Sequence, residues 1–174
     1  MDSQTHLFTS FTIICSLLFL SFLSQANAEA PKIVDSVCKE TISPATCQEA
    51  LSTIPLPKDL NGLAQATLRL AIANAKDSFD FMNKLLAKNN ASEPIKQCAF
   101  WYKEVVASFQ SALGELEDDI SSANYDSKVA GDSAESCEEG LVSKGVQMAS
   151  ISNRNEQVKL FGNIGFVITG RLDV

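Results

Sequence analysis

The chain has 174 residues, 45% of them hydrophobic and 20% charged, with a formal net charge of −7 and one histidine. That charge disfavours nucleic acid, anionic membranes and polyanionic polysaccharides, each of which would meet like charge, and makes a basic partner easier to approach. The histidine is His6, inside an apparent leader, so the rest of the chain lacks Ser-His-Asp and Cys-His catalysis, His-ligated zinc and a histidine pH switch.

The leader comes first. Phe11 to Leu23 is apolar except for Thr12, Ser16 and Ser21, shorter than the roughly 20 residues a bilayer span needs. Ala26-Asn27-Ala28 is an A-x-A cleavage site, so residues 1–28 read as a secretory signal peptide cut after Ala28. Its n-region carries no Lys or Arg, only the amino terminus and His6. Beyond it, residues 29–174 hold all 14 Lys and Arg and 20 of the 21 acidic residues, a formal charge of −6. That length suits one domain with a sizeable core. Cys15 leaves with the leader, and Cys38, Cys47, Cys98 and Cys137 remain: an even set in an oxidising compartment, read as a disulfide framework. With no C-x-x-C, metal and thioredoxin-like readings are weak; Gly162, Gly165 and Gly170 follow no strand and precede no phosphate-loop Lys-Ser/Thr. No cofactor is expected.

Two short helices are expected next, Pro31 to Lys39 and Pro44 to Ile54, ended by Pro55 and Pro57. Leu60, Ala64, Leu68, Ala71, Ile72, Ala75, Phe79, Met82 and Leu86 then share one face at about 100° per residue and predict a helix from about Asp59 to Lys88. Asn89-Asn90-Ala91-Ser92 breaks it, and Asn90-Ala91-Ser92 is an N-glycosylation sequon. A cleaner stripe, Ile95, Cys98, Ala99, Tyr102, Val105, Val106, Phe109, Leu113, Leu116 and Ile120, predicts a helix from Glu93 to Ser121, with Ser92 as N-cap and Pro94 in its first turn. A third long helix, about Tyr125 to Leu141, presents the small residues Ala130, Ser133, Ala134 and Cys137 inward. The fourth runs from about Asn153 to Leu172, with Asn153 and Glu156 spaced like a capping box and Val158, Phe161, Ile164, Gly165, Ile168 and Leu172 inward.

Four amphipathic helices with short connections favour an all-α, up-and-down four-helix bundle preceded by the helical hairpin. Four cysteines allow three connectivities. Sequential pairing is the one that closes the hairpin locally, stapling it through Cys38 and Cys47 and tying the second bundle helix to the third through Cys98 and Cys137. The chain-entropy estimate for such loops is about 2.7 and about 3.9 kcal/mol.

Cys38-Lys39-Glu40-Thr41 with Cys47, Cys98-Ala99-Phe100 with Tyr102 and Lys103, and Ser136-Cys137-Glu138-Glu139 resemble the plant invertase and pectin methylesterase inhibitor family. The resemblance spans essentially the whole chain beyond the leader. It implies the same hairpin and bundle, the same two disulfides, and a non-enzymatic protein of the apoplast or vacuole that binds a carbohydrate-active enzyme and blocks its active-site cleft. Some invertase inhibitors of this family carry a Pro-Lys-Phe tripeptide ahead of the last cysteine; here Ser127-Lys128-Val129 stands in that region. Asn124-Tyr125-Asp126 sits where pectin methylesterase inhibitors often have an Asp-Tyr turn, while Cys98-Ala99-Phe100 and Cys137-Glu138-Glu139 are similar to some invertase inhibitors. The resemblance therefore implies pectin methylesterase as the partner, with acid invertase as the alternative.

Phe100 and Trp101 lie off the core stripe, as do Leu63, Leu70 and Phe81, and this flank is expected to be covered mostly by the hairpin. The run Glu115, Glu117, Asp118 and Asp119 is expected to be a solvated helix end that can also steer a basic partner. A small-ligand carrier would need an open pocket among Tyr102, Phe109 and Phe161, where packed core is expected; an enzyme built on paired carboxylates has no positive feature.

Overall fold

The computed structural model describes residues 32–55, 57–88 and 92–172. The leader with Cys15 and its Ala28 cleavage site, and the sequon asparagine Asn90, lie outside the described residues. Six helices account for most of the rest: α1 (residues 32–38), α2 (Pro44–Leu51), α3 (Leu60–Leu86), α4 (Glu93–Glu115), α5 (Ile120–Ser143) and α6 (Ala149–Leu172). None of them is long and apolar enough to cross a membrane.

In the bundle, α3 packs against α4 and α6, and α5 against the same two, so each helix has two neighbours. Asp59 starts α3 by accepting the Gly62 N–H at 2.7 Å, and Leu63, Ala64, Thr67, Leu68, Ala71, Ala75, Ser78 and Met82 form its buried face. Ser92 occupies the N-cap position of α4 without a side-chain cap bond; Pro94 lies in the first turn, as expected.

The α4–α5 boundary differs from the sequence reading. α4 stops at Glu115 rather than Ser121, and α5 begins at Ile120 rather than Tyr125. Asp119 makes the break: its carboxylate accepts the Ser122 N–H at 3.0 Å and the Ser122 hydroxyl at 2.8 Å, capping α5. Ile120 therefore opens a helix instead of extending the stripe that Leu116 closes. α6 also starts earlier than expected, at Ala149, with the Met148 carbonyl accepting the Ile151 and Ser152 N–H groups. Asn153 and Glu156 are thus both inside the helix and form no capping box. Between α5 and α6, Gly145 takes φ +65°, and the Val146 and Gly145 N–H groups donate to the Leu141 and Val142 carbonyls at 2.9 and 3.0 Å. This is a Schellman ending, which a glycine accommodates without a Cβ penalty.

The α5–α6 seam is close because it is built from small residues. A Cβ added at Gly162 would sit 2.9 Å from the Ser127 carbonyl oxygen and 3.0 Å from the Gly131 nitrogen, and one at Gly165 would sit 2.9 Å from Ser127 Oγ. Disulfides join Cys38 to Cys47 and Cys98 to Cys137, with Cα atoms 5.5 and 4.6 Å apart, and all four cysteines are fully buried.

The hairpin leans on α6. The Ile42 N–H donates to Asn163 Oδ1 at 3.0 Å, and Arg171 donates to Ser36 Oγ at 3.1 Å while approaching Glu40 at 3.8 Å. On α3, Leu70 shares a cleft with Thr46, Ala50 and Thr53. The flank expected beneath the hairpin is therefore split. Phe100 stays 55% exposed, because the hairpin sits against α6, away from the outer face of α4.

Candidate partner-binding face

The bundle interior is filled. Tyr102 and Phe109 are fully buried and Phe161 nearly so, forming core where a carrier would need an opening. Asn155 is also fully buried. It accepts the Tyr102 hydroxyl at 2.9 Å and donates through Nδ2 to Glu138 at 2.7 Å, which also accepts from Ser152 Oγ at 2.8 Å. Burial pushes the Tyr102 hydroxyl well above the ordinary tyrosine pKa. The sequence reading missed Asn155; its signal was position, four residues after Ile151 and three residues before Val158 on the inward stripe of α6. Among the described residues no cluster of His, Cys, Asp or Glu is arranged to hold a metal ion.

Among the described residues the exposed large apolar side chains are Ile42, Phe100, Tyr125, Val142 and Phe166, and Ile42 and Phe166 border one cleft. It has a volume of about 250 Å³ and lies between the hairpin tip, α5 and α6. The helical period brings Lys128, Asp132 and Glu135 into it from α5, and Lys159, Asn163 and Phe166 from α6. Gly131 and Gly162 line it as well. Lys128 pairs with Asp132 one turn on, and Lys159 bridges Glu135 at 3.0 Å and Glu156 at 3.3 Å. Partial burial would lower the Lys159 pKa, but the two carboxylates outweigh it and hold the ammonium above its ordinary value.

The residues singled out from the sequence are distributed around this face. Asn124, Tyr125 and Asp126 lie within α5 and not in a turn, a consequence of the earlier Asp119 cap. Asn124 Nδ2 donates to the Phe166 carbonyl at 2.7 Å and to Thr169 Oγ1 at 2.9 Å, fastening α5 to α6, whereas Tyr125 is 66% exposed. Ser127 is buried, its hydroxyl donating to the Ala123 carbonyl at 2.8 Å. Lys128 faces the cleft, and Val129 is half-buried. Elsewhere, Phe100 and Trp101 form an edge-on aromatic pair. Phe81 lies under the Arg154 guanidinium at 4.5 Å, and that guanidinium, hydrogen-bonded to Asp77, lowers the aspartate pKa. Of the acidic run, Glu117, Asp118 and Asp119 are exposed at the α4–α5 connection. The Ser122 backbone N–H and hydroxyl hold the Asp119 carboxyl below its ordinary pKa.

The family model described as plant invertase/pectin methylesterase inhibitor matches residues 32–164, which include all four paired cysteines. The chain belongs to this family. Its members are inhibitor proteins and not enzymes. The chain is 24% identical over 167 residues to pectinesterase inhibitor 1 of Arabidopsis thaliana, covering 91% of this chain and 93% of that protein. Its fold is similar to the crystal structure of mutant form A of a pectin methylesterase inhibitor from Arabidopsis, with TM-score 0.72, 20% identity, and 79% and 95% of the two chains covered. A second crystal structure of a pectin methylesterase inhibitor from Arabidopsis thaliana aligns with TM-score 0.61, 21% identity, and coverage of 80% and 95%. At these identities the two structures speak for the fold alone, that of a helical bundle.

Proposed function

We propose that the protein is a secreted inhibitor of pectin methylesterase that binds the enzyme one to one and blocks its active-site cleft in the plant cell wall. The observation that carries this reading is the family match over residues 32–164, taken with the similarity of nearly the whole chain to a pectinesterase inhibitor. The residues agree. Ser127-Lys128-Val129 lacks the Pro and Phe of the invertase-directed tripeptide, and its serine is turned into the core. Cleavage after Ala28 and oxidation of the four remaining cysteines go with secretion, and the sequon makes Asn90 the candidate for N-glycosylation.

The test is inhibition of a purified pectin methylesterase and a purified acid invertase, side by side, between pH 4 and 8. Selective inhibition of the methylesterase with saturation at one inhibitor per enzyme supports the proposal. Selective inhibition of invertase replaces it with the alternative target and admits the vacuole as a site of action; inhibition of neither removes both. Because no histidine follows the leader, dependence on pH in this range that arises in the inhibitor comes from Asp and Glu, and near the top of the range from the amino terminus.

A further inference from the structure

We infer that Asn61 is a latent deamidation site, held shut in the folded protein by the Asp59 cap and opened when the first turn of α3 frays. This concerns the chain's own covalent chemistry and does not depend on the inhibitor reading.

The site begins in the sequence, where Asn61-Gly62 is the chain's one Asn-Gly pair. With no side chain on the second residue, nothing hinders its backbone nitrogen from attacking the asparagine side-chain carbonyl carbon. A new C–N bond forms, the Asn61 amide C–N bond breaks, and the Gly62 proton leaves with the amide as ammonia. A five-membered succinimide remains. Water then opens that ring at one or other carbonyl, giving aspartate or isoaspartate, with no oxidant and no further reactant. Asn61 is exposed, so water reaches it.

The fold opposes that attack at the nitrogen and at the backbone. The Gly62 N–H donates to Asp59 Oδ1 at 2.7 Å, a charge-assisted bond that must break before the nitrogen can react. Asn61 is the second residue of α3, and ring closure needs a backbone twist that the helical ψ of about −42° does not give. The Asn61 side chain is engaged as well, its Oδ1 accepting from Gln65 Nε2 at 3.2 Å. This guard is as strong as the turn that holds it. Asp59 and Asn61 are exposed and Leu60 and Gly62 half-buried, and the buried face of α3 starts only at Leu63. Such helix ends open at a lower free energy than the whole fold.

The same cap accounts for the glycine. A Cβ added at Gly62 would lie 3.2 Å from Asp59 Oδ1, so the missing side chain makes room for the carboxylate that starts α3. Room for the guard is also what leaves the Gly62 nitrogen unhindered once the guard is gone. The two products then act in opposite ways. Aspartate at position 61 places a carboxylate beside the helix N-terminus, which favours it. Isoaspartate routes the main chain through the side-chain methylene, and the lengthened backbone cannot keep the Leu63 N–H on the Asp59 carbonyl, 3.1 Å away in the intact turn.

The experiment incubates the disulfide-intact protein at mildly alkaline pH, folded and in urea, beside Asp59→Ala and Asp59→Asn, each checked by circular dichroism. Trypsin, cutting after Lys58 and Arg69, isolates the pair. Mass spectrometry of that peptide measures deamidation, and isoaspartyl methyltransferase labelling measures its isoaspartate share. Asn61 is expected to deamidate about tenfold or more slowly in the folded parent than in urea. Asp59→Ala removes the bond to the carboxylate and is expected to raise the folded-state rate about tenfold, whereas Asp59→Asn keeps an acceptor and stays within about threefold of the parent. Equal rates in the folded and urea-unfolded parent overturn the guard, and so does Asp59→Ala reacting no faster than the parent at unchanged helix content. An Asn61 that stays intact in urea overturns the site itself. Should Asp59→Ala fail to fold, the folded-to-urea ratio of the parent and of Asp59→Asn decides alone.

Discussion

Glycine acts in opposite ways at different positions of this bundle. At Gly162 a Cβ would press on two backbone atoms of α5, the Ser127 oxygen and the Gly131 nitrogen, and neither can rotate away. Gly162→Ala is expected to force the helices apart and destabilise the fold by about 1–3 kcal/mol in urea unfolding. Gly140, inside α5, has nothing within 4 Å of its added Cβ. Gly140→Ala is therefore expected to stabilise by about 0.5–1 kcal/mol in the same assay, through helix propensity and a less flexible unfolded chain. Asn155 shows the reverse logic, that of a polar side chain in the core. Replacing it with Ala strands the buried Tyr102 hydroxyl and removes one of the two side-chain hydrogen bonds to Glu138, a loss of about 1–3 kcal/mol by denaturant unfolding. Its position on the α6 stripe was readable in the sequence; its partners, which come from α4 and α5, were not.

The elements were legible wherever an apolar stripe was uninterrupted. α3 and the inward face of α4 needed only periodicity, and the small residues expected inward on α5, Ala130, Ser133, Ala134 and Cys137, are buried. What failed was the competition between continuing a stripe and capping a new helix. Ile120 fits the α4 period, but the Asp119 carboxylate bonded to Ser122 wins locally. That cap carries a pH dependence. The folded-state pKa of Asp119 is depressed, so its contribution is present above the unfolded-state pKa and is lost as the pH falls through the lower folded value. Asp119→Ala is expected to lower the melting temperature at pH 7 and to shrink the difference from the parent protein in strong acid; a difference unchanged by pH would contradict the cap. The start of α6 was missed because Asn153 and Glu156 imitate a capping box one turn inside a helix that had already begun.

For the whole molecule, cysteine spacing and helical stripes together specified a stapled hairpin and a tied bundle, and the structure has both disulfides. The seat of the hairpin was not legible. It depends on contacts between residues far apart in sequence, Ile42 with Asn163 and Ser36 with Arg171, which hold it against α6 and leave Phe100 uncovered. The cleft beside Ile42 follows from that seat, since its walls come from segments far apart in sequence. Inhibition by the assembled molecule is measured by titrating a fixed amount of purified pectin methylesterase with the oxidised protein, following release of methanol from esterified pectin, with an acid invertase assayed in parallel. Methylesterase activity is expected to fall to a plateau near one equivalent while invertase activity is unchanged. Undiminished methylesterase activity at a large excess of the protein would contradict that expectation.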